Sequence, residues 1–324
     1  MRKVLVLLAC LVSVASAKLS MGSAQPMELA GTHLCGPLSP SCLAAIAGAH
    51  TESTGFTLRK DVGEVRVRFS VTDKSGRYIP SLSKDDFSLS DNGVQVAELT
   101  DFHEENDLPI QVAILIDSSR STERELPMEK QLALEFLRNL LRPQDHAMIA
   151  GFSNHLNKPG TFTGNFNQLE DFVSSIAAGG LTAFNDSVLE LANEFDESRG
   201  ARKVFIVIGD GHDTVSAHTF SDARDSLLRK DVTVYTISIN DRKALDPAAA
   251  LADLSAQTGG HSYVLKDLKH LKQAFSQIDT DLRTSYVAAY RAPAGKHTPF
   301  HAINVQLTAK NLSVQNKKGY FRLE

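Results

Sequence analysis

The chain has 324 residues, 42% hydrophobic and 22% charged, the balance of a globular protein with a sizeable core rather than of a disordered or collagen-like chain. Its 34 Lys and Arg against 38 Asp and Glu give a net charge of -4, so no polybasic field invites nucleic acid. Three cysteines are too few for a disulfide-dense miniprotein, and beyond residue 17 no apolar run is long enough for a helix that crosses a bilayer.

Met1, Arg2 and Lys3 give a positive start, Val4 to Val14 is apolar except for Ser13, and Ala15-Ser16-Ala17 is a small-residue cleavage pattern. This predicts a secretory signal peptide over 1–17 and a periplasmic or extracellular chain. Leu7-Leu8-Ala9-Cys10 offers an alternative, a lipoprotein box, and membrane association is expected only if Cys10 is lipidated. After export, Cys35 and Cys42 either form a local disulfide across Gly36, Pro37 and Pro40 or remain spectators in an irregular leader over 18–62. A short helix is expected over 42–49.

A half-buried strand follows, with Val65, Val67, Phe69 and Val71 alternating with polar residues. Further strands are expected at 87–89 and 94–99, making 63–107 β-rich. From Ile110 the pattern changes to short runs apolar at every position: 112–116, 147–150, 204–208 and 232–237. Strands apolar on both faces belong to a mostly parallel sheet covered by helices on each side. Stripes at helical spacing accompany them, through Leu134, Leu137 and Leu141, through Phe184, Val188, Leu191 and Phe195, and through Leu271, Ala274 or Phe275, Ile278 and Leu282. The expected fold class is therefore α/β, doubly wound, over 108–283. Alternation returns at Ile303, Val305 and Leu307, and Gly319 onward reads as a last strand. Segments 63–107 and 284–324 are expected to pair into one small β-sandwich-like domain, with the α/β domain as an insertion.

In open α/β sheets, ligands sit beyond the carboxyl ends of the strands. Asp117-Ser118-Ser119-Arg120-Ser121 follows the first apolar run, and Gly209-Asp210-Gly211-His212-Asp213 follows the third. Thr182, after Gly179-Gly180-Leu181, leads into a helix. Carboxylates and hydroxyls are hard oxygen donors that suit Mg²⁺ or Mn²⁺ and not zinc. Taken singly, each piece also has a plain structural use: Thr122 and Glu125 as a capping box, Thr182 as a helix N-cap, Asp210 as a turn residue.

Together, Asp117-x-Ser119-x-Ser121, the Thr182 loop and the Gly-Asp210-Gly turn resemble the metal-ion-dependent adhesion site of von Willebrand factor type A domains, the fold shared with integrin I domains. The resemblance covers about 108–265. The stretch VTDKSGRYIPSLSKDDFSLSDNG and the tail GYFRLE are similar to a set of exported bacterial proteins with type A-related domains. The resemblance implies that Ser119, Ser121 and Thr182 coordinate Mg²⁺ or Mn²⁺ directly and that Asp117 and Asp210 act through water. A partner's Glu or Asp carboxylate would complete the shell, for adhesion rather than catalysis. Arg120 departs from the pattern, where a small residue is usual. It is expected either to point outward to Glu123 or to meet the partner's acidic group. Asp213 and His212 lie near the same mouth, Asp213 as support and His212 as a loop residue within reach of a ligand.

The expected function is an exported, metal-dependent protein-binding module. A structural envelope-associated role with a vestigial metal site is the alternative. A metal-dependent hydrolase is the weaker third, because Ser153 and His155 lack a nucleophile elbow and no phosphate loop or His-Glu-x-x-His occurs.

Overall fold

The computed structural model describes residues 63–158, 160–196, 200–239, 245–293 and 298–322. The chain divides into two units, Met1–Arg59 and Lys60–Glu324, and every described residue belongs to the second. The signal segment, the leader, Cys10, Cys35 and Cys42 lie outside the described residues.

The chain begins with β1 (Glu64–Asp73), β2 (Phe87–Asp91), β3 (Val94–Gln95) and β4 (Asp101–Glu104). Strand and helix then alternate: β5 (Ile110–Asp117), α1 (Leu126–Leu140), β6 (His146–Phe152), β7 (Leu156–Asn157), α2 (Phe166–Ser175), α3 (Phe184–Ala192) and β8 (Arg202–Ile208). There follow α4 (Phe220–Arg229), β9 (Val232–Ile239), α5 (Leu245–Thr258), β10 (Ser262–Leu265) and α6 (Leu271–Arg283). Four strands close the chain, β11 (Tyr286–Arg291), β12 (Phe300–Leu307), β13 (Leu312–Asn316) and β14 (Gly319–Phe321).

The central sheet has the order β10-β9-β8-β5-β6-β7, parallel except for β7. All eight residues of β5 are buried, as a strand flanked by strands and covered on both faces must be. Ile110, Val112, Ile114 and Ile116 pack into a core shared with α1, α2 and α6, while Ala113 and Leu115 pack with α3, α4 and α5. In α1 the buried stripe runs through Leu126, Ala133, Phe136, Leu137 and Leu140, so Leu134 and Leu141 of the expected stripe flank it, only partly buried. β5 pairs with β6 on one side and β8 on the other. The chain order reverses there, which opens a crevice at the carboxyl end of β5.

The flanking segments build two four-stranded antiparallel sheets, β13-β1-β11-β4 and β14-β12-β2-β3. Val67 pairs with Ala288 and Leu89 with Val305, so each sheet takes strands from both ends of the chain. Val67, Phe69, Val71, Phe87, Leu89, Tyr286, Tyr290, Ile303 and Val305 fill the space between the sheets. The stretch 94–99 forms a strand only at Val94–Gln95.

One buried carboxylate ties three elements at the base of the central sheet. Asp145 accepts from the Ile110 N–H at 2.8 Å, the Arg142 N–H at 2.9 Å and the Arg283 guanidinium at 2.7 Å. It is 1% exposed, and Arg283 at the end of α6 is also largely covered. Asp145→Ala strands that guanidinium, so urea denaturation is expected to show a loss of about 3–5 kcal/mol with an unchanged slope.

Candidate functional site

The crevice at the end of β5 is built around Asp117, which is 2% exposed. Its Oδ1 accepts from the Ser119 N–H at 2.8 Å, which fixes the carboxylate at the start of the loop. Ser118 donates through both its N–H and its hydroxyl to the Phe152 carbonyl, so the loop is fastened to the end of β6. A 3-10 turn over Arg120–Thr122 then brings Ser121 back, and the Ser119 and Ser121 hydroxyl oxygens lie 2.9 Å apart. Thr122 donates its hydroxyl to the carbonyls of Asp117 and Ser119 at 2.9 and 3.0 Å. That closes the turn in place of the expected capping box, and α1 starts from Glu125 with no side-chain cap.

Backbone bonds hold the second loop against the first. The Gly179 N–H donates to the Ser118 carbonyl at 2.8 Å, and the Arg120 N–H donates to the Gly180 carbonyl at 3.3 Å. Gly180 has φ +81°, and a Cβ there would lie 2.9 Å from the Asn154 side-chain oxygen, which accepts from the Leu181 N–H. The position therefore requires glycine on two counts. Thr182 is 8% exposed, and its N–H and carbonyl are both tied to Thr214. Thr182 is not the N-cap of α3; Ala183 stands there without a side-chain bond. Asp213 does that work from outside the helix, accepting from the Asn185 N–H at 2.8 Å and from both the N–H and hydroxyl of Ser216.

Asp210 comes from the turn after β8 and is exposed. Its Oδ1 accepts from the His212 N–H at 2.9 Å. Gly209 runs so close to the crevice floor that a Cβ on it would sit 2.9 Å from the Asp117 Cβ. Burial pushes the Asp117 carboxyl above the usual range, Ser119 hydrogen bonds oppose this, the Asp210 charge adds to it and His212 counters. Arg120 and His212 are exposed. Among the described residues the expected Arg120–Glu123 ion pair does not form.

The three loops are thus neighbours: Ser119 and Ser121 share one with Asp117, the loop before Thr182 bonds to it through Gly179 and Gly180, and the Asp210 charge acts on Asp117. Among the described residues no three His, Cys, Asp or Glu side chains gather as a metal cluster; the donors here are two carboxylates and three hydroxyls. Adjacent ligands of an octahedral Mg²⁺ at about 2.05 Å lie about 2.9 Å apart. The Ser119 and Ser121 hydroxyls are hydrogen-bonded to each other at a separation that equals such an edge. The buried Asp117 and the exposed Asp210 repel each other, which also fits a cation, so the donor set is compatible with magnesium or manganese.

A model of the von Willebrand factor type A domain matches residues 111–277, half of the chain. No curated protein matches the chain. Among solved structures, proximal thread matrix protein 1 of the mussel byssus is similar at 13% identity and TM-score 0.50, with 59% of this chain and 51% of that one covered. A von Willebrand factor type A protein from Catenulispora acidiphila is 13% identical over 73% of each chain, at TM-score 0.48. An aerotolerance-related membrane protein from Bacteroides fragilis, determined with multiple mutations to serines, is 16% identical at TM-score 0.44, with 52% of this chain and 98% of that one covered. At these identities the likeness concerns the fold alone.

One acidic residue beneath the crevice escaped the sequence reading. Glu129 sits on the buried face of α1, 3% exposed, where helical spacing from Leu126 and Ala133 would place an apolar residue. Among the described residues its Oε2 has no hydrogen-bond partner. Burial, then the charges of Asp117 and Glu125, push its carboxyl from 4.5 up to about 8. The folded state therefore holds this proton more tightly than the unfolded chain does. Stability is full below about pH 4.5 and falls as pH rises toward 8. Glu129→Gln removes that loss. In metal-free buffer the stability difference between variant and wild type is expected to be small at pH 4.5 and to grow by about 1.4 kcal/mol per pH unit toward pH 8, read by urea denaturation.

Proposed function

The chain belongs to the von Willebrand factor type A family, and from that we propose that it is an exported, metal-dependent protein-binding module that captures an acidic group of a partner at the β5 crevice. Members of this family are typically interaction and adhesion modules. The single observation that carries the metal-dependent part is the pair of hydroxyl oxygens of Ser119 and Ser121, 2.9 Å apart above a buried Asp117.

In this reading Ser119, Ser121 and Thr182 offer hydroxyl oxygens to the cation, while Asp117 and Asp210 supply negative charge from the floor and the rim. A divalent cation so held supplies positive charge and an open coordination position for a partner's carboxylate. Asp117 is positioned by the Ser119 N–H, so its orientation does not depend on the cation. Neutral hydroxyl donors leave the cation more of its charge than carboxylates would, which favours an incoming anion. Around this polar centre the chain exposes two large apolar side chains, Leu181 beside Thr182 and Val215, whose N–H donates to the Thr182 carbonyl. They suit a partner segment with an apolar residue next to its acidic one. Arg120, exposed on the same loop, reaches for the partner's acidic surface and weakens the cation's own binding.

Export rests on the Met1–Ala17 segment. Among the described residues no helix is long and apolar enough to cross a membrane. We place the chain among binding modules and not enzymes, in keeping with its family. The second reading, a structural role with a vestigial metal site, is favoured by Arg120 alone.

Calorimetric titration with Mg²⁺ and Mn²⁺ separates the two. Binding is expected for the wild type, a loss of at least tenfold for Asp117→Ala and Ser119→Ala, and a several-fold gain for Arg120→Ala. No binding in any of the four forms refutes metal dependence. Acidic peptides with an apolar neighbour are then expected to bind only with metal present, and Leu181→Asp is expected to weaken the peptide without changing the metal affinity.

A further inference from the structure

The opposite end of the central sheet holds a cavity that the crevice does not involve. It has a volume of about 250 Å³ and lies where the outward side of β1 faces the amino-terminal ends of β8 and β9. Arg68, Glu105, Arg202, Asp231, Tyr235 and Lys317 are among its walls. Arg68 is paired with Glu105 at 2.6 Å, and Lys317 with Asp231 at 2.6 Å, so each of these cations is already partly neutralised.

Arg202 is different. It is 8% exposed, and its Nη1 donates to the carbonyls of Asp281 and Leu282, each at 3.2 Å. Its buried Nε has no partner among the described residues. Among the described residues no carboxylate comes within ion-pair distance of it; Asp281, whose backbone it touches, has its carboxylate 3.6 Å from His261. A guanidinium cannot shed its charge, so a buried one whose attracting carboxylates, Asp281 and Glu105, stand beyond ion-pair distance is costly. That buried N–H is unsatisfied among the described residues, and a buried donor asks for an acceptor.

We infer that this cavity binds a small oxyanion, phosphate or a carboxylate-bearing molecule, with Arg202 as its charge partner and Arg68 and Lys317 as its flanking cations. Tyr235 and Gln315 also line the space, the Gln315 amide donating to the Gly260 carbonyl. An oxyanion there touches both the α/β layers and the β1 sheet. It therefore joins them, in addition to the bonds that Gln315, Lys317 and Lys318 already make across to Gly260, Leu228 and Gln257. The inference is independent of the proposed metal site.

The test is thermal unfolding of the full chain in chelator-containing buffer with sodium phosphate, sodium succinate or sodium chloride at equal ionic strength. A bound oxyanion raises the midpoint by roughly 3 °C for each tenfold in concentration above its Kd. Phosphate acting alone identifies a phosphoryl ligand and succinate alone a carboxylate ligand. A response no larger than that of chloride overturns the inference. Arg202→Met is expected to abolish the response. Should that variant fail to fold, Lys317→Met is expected to weaken binding about tenfold, and an undiminished response in whichever variant folds refutes the site. Asp117→Ala is expected to respond as the wild type does; a lost response there would place the anion at the other end of the sheet and refute the assignment.

Discussion

A carboxylate buried at the end of a strand that is apolar on both faces is the constraint on which this molecule turns. Asp117 cannot be moved outward without breaking the register of β5 with β6 and β8, and it cannot be left bare without cost. The loop that follows meets this demand with the backbone N–H of Ser119, while the Thr122 hydroxyl closes the turn on the backbone carbonyls of Asp117 and Ser119. The same closure sets two serine oxygens side by side. Local satisfaction of one buried anion thus shapes the whole mouth, and the neighbouring loops are clamped to it through Gly179, Gly180 and Gly209.

Much of this was legible from residue patterns, for identifiable reasons. Runs such as Val112–Ile116 and Val204–Ile208 are apolar at every position because both faces of a central parallel strand are covered, and no surface helix or hairpin strand produces that pattern. The alternation at Val67, Phe69 and Val71 fixed one side of a two-layered β structure, as did Ile303 and Val305. The Asp117, Thr182 and Asp210 loops could be found because they follow strands or lead a helix in a fixed order.

What stayed hidden depends on contacts distant in sequence. Nothing local says that Asp213 rather than Thr182 satisfies the start of α3, because the acceptor comes from another loop. For Glu129 the local sequence offers a single sign of burial, its phase relative to Leu126 and Ala133. The helix α4 could have been assigned from Thr219 and Asp222, a reciprocal capping pair that the structure does form. The stripe drawn through Leu134, Leu137 and Leu141 shares only Leu137 with the buried face, where Ala133, Phe136 and Leu140 stand in place of the other two.

The two small sheets carry a consequence for how the chain reaches its native state. Asp91 accepts hydroxyl bonds from Tyr290 and Tyr320 and sits 2.8 Å from the His301 ring, partners 199 to 229 positions further along. None of these contacts can form on a growing polypeptide until the entire α/β segment has been synthesised. Until then β1 and β2 present unpaired edges and an uncovered aromatic face, the circumstances in which chains stick to one another. The pairing of β1 and β2 with the closing strands must therefore await the synthesis of the tail.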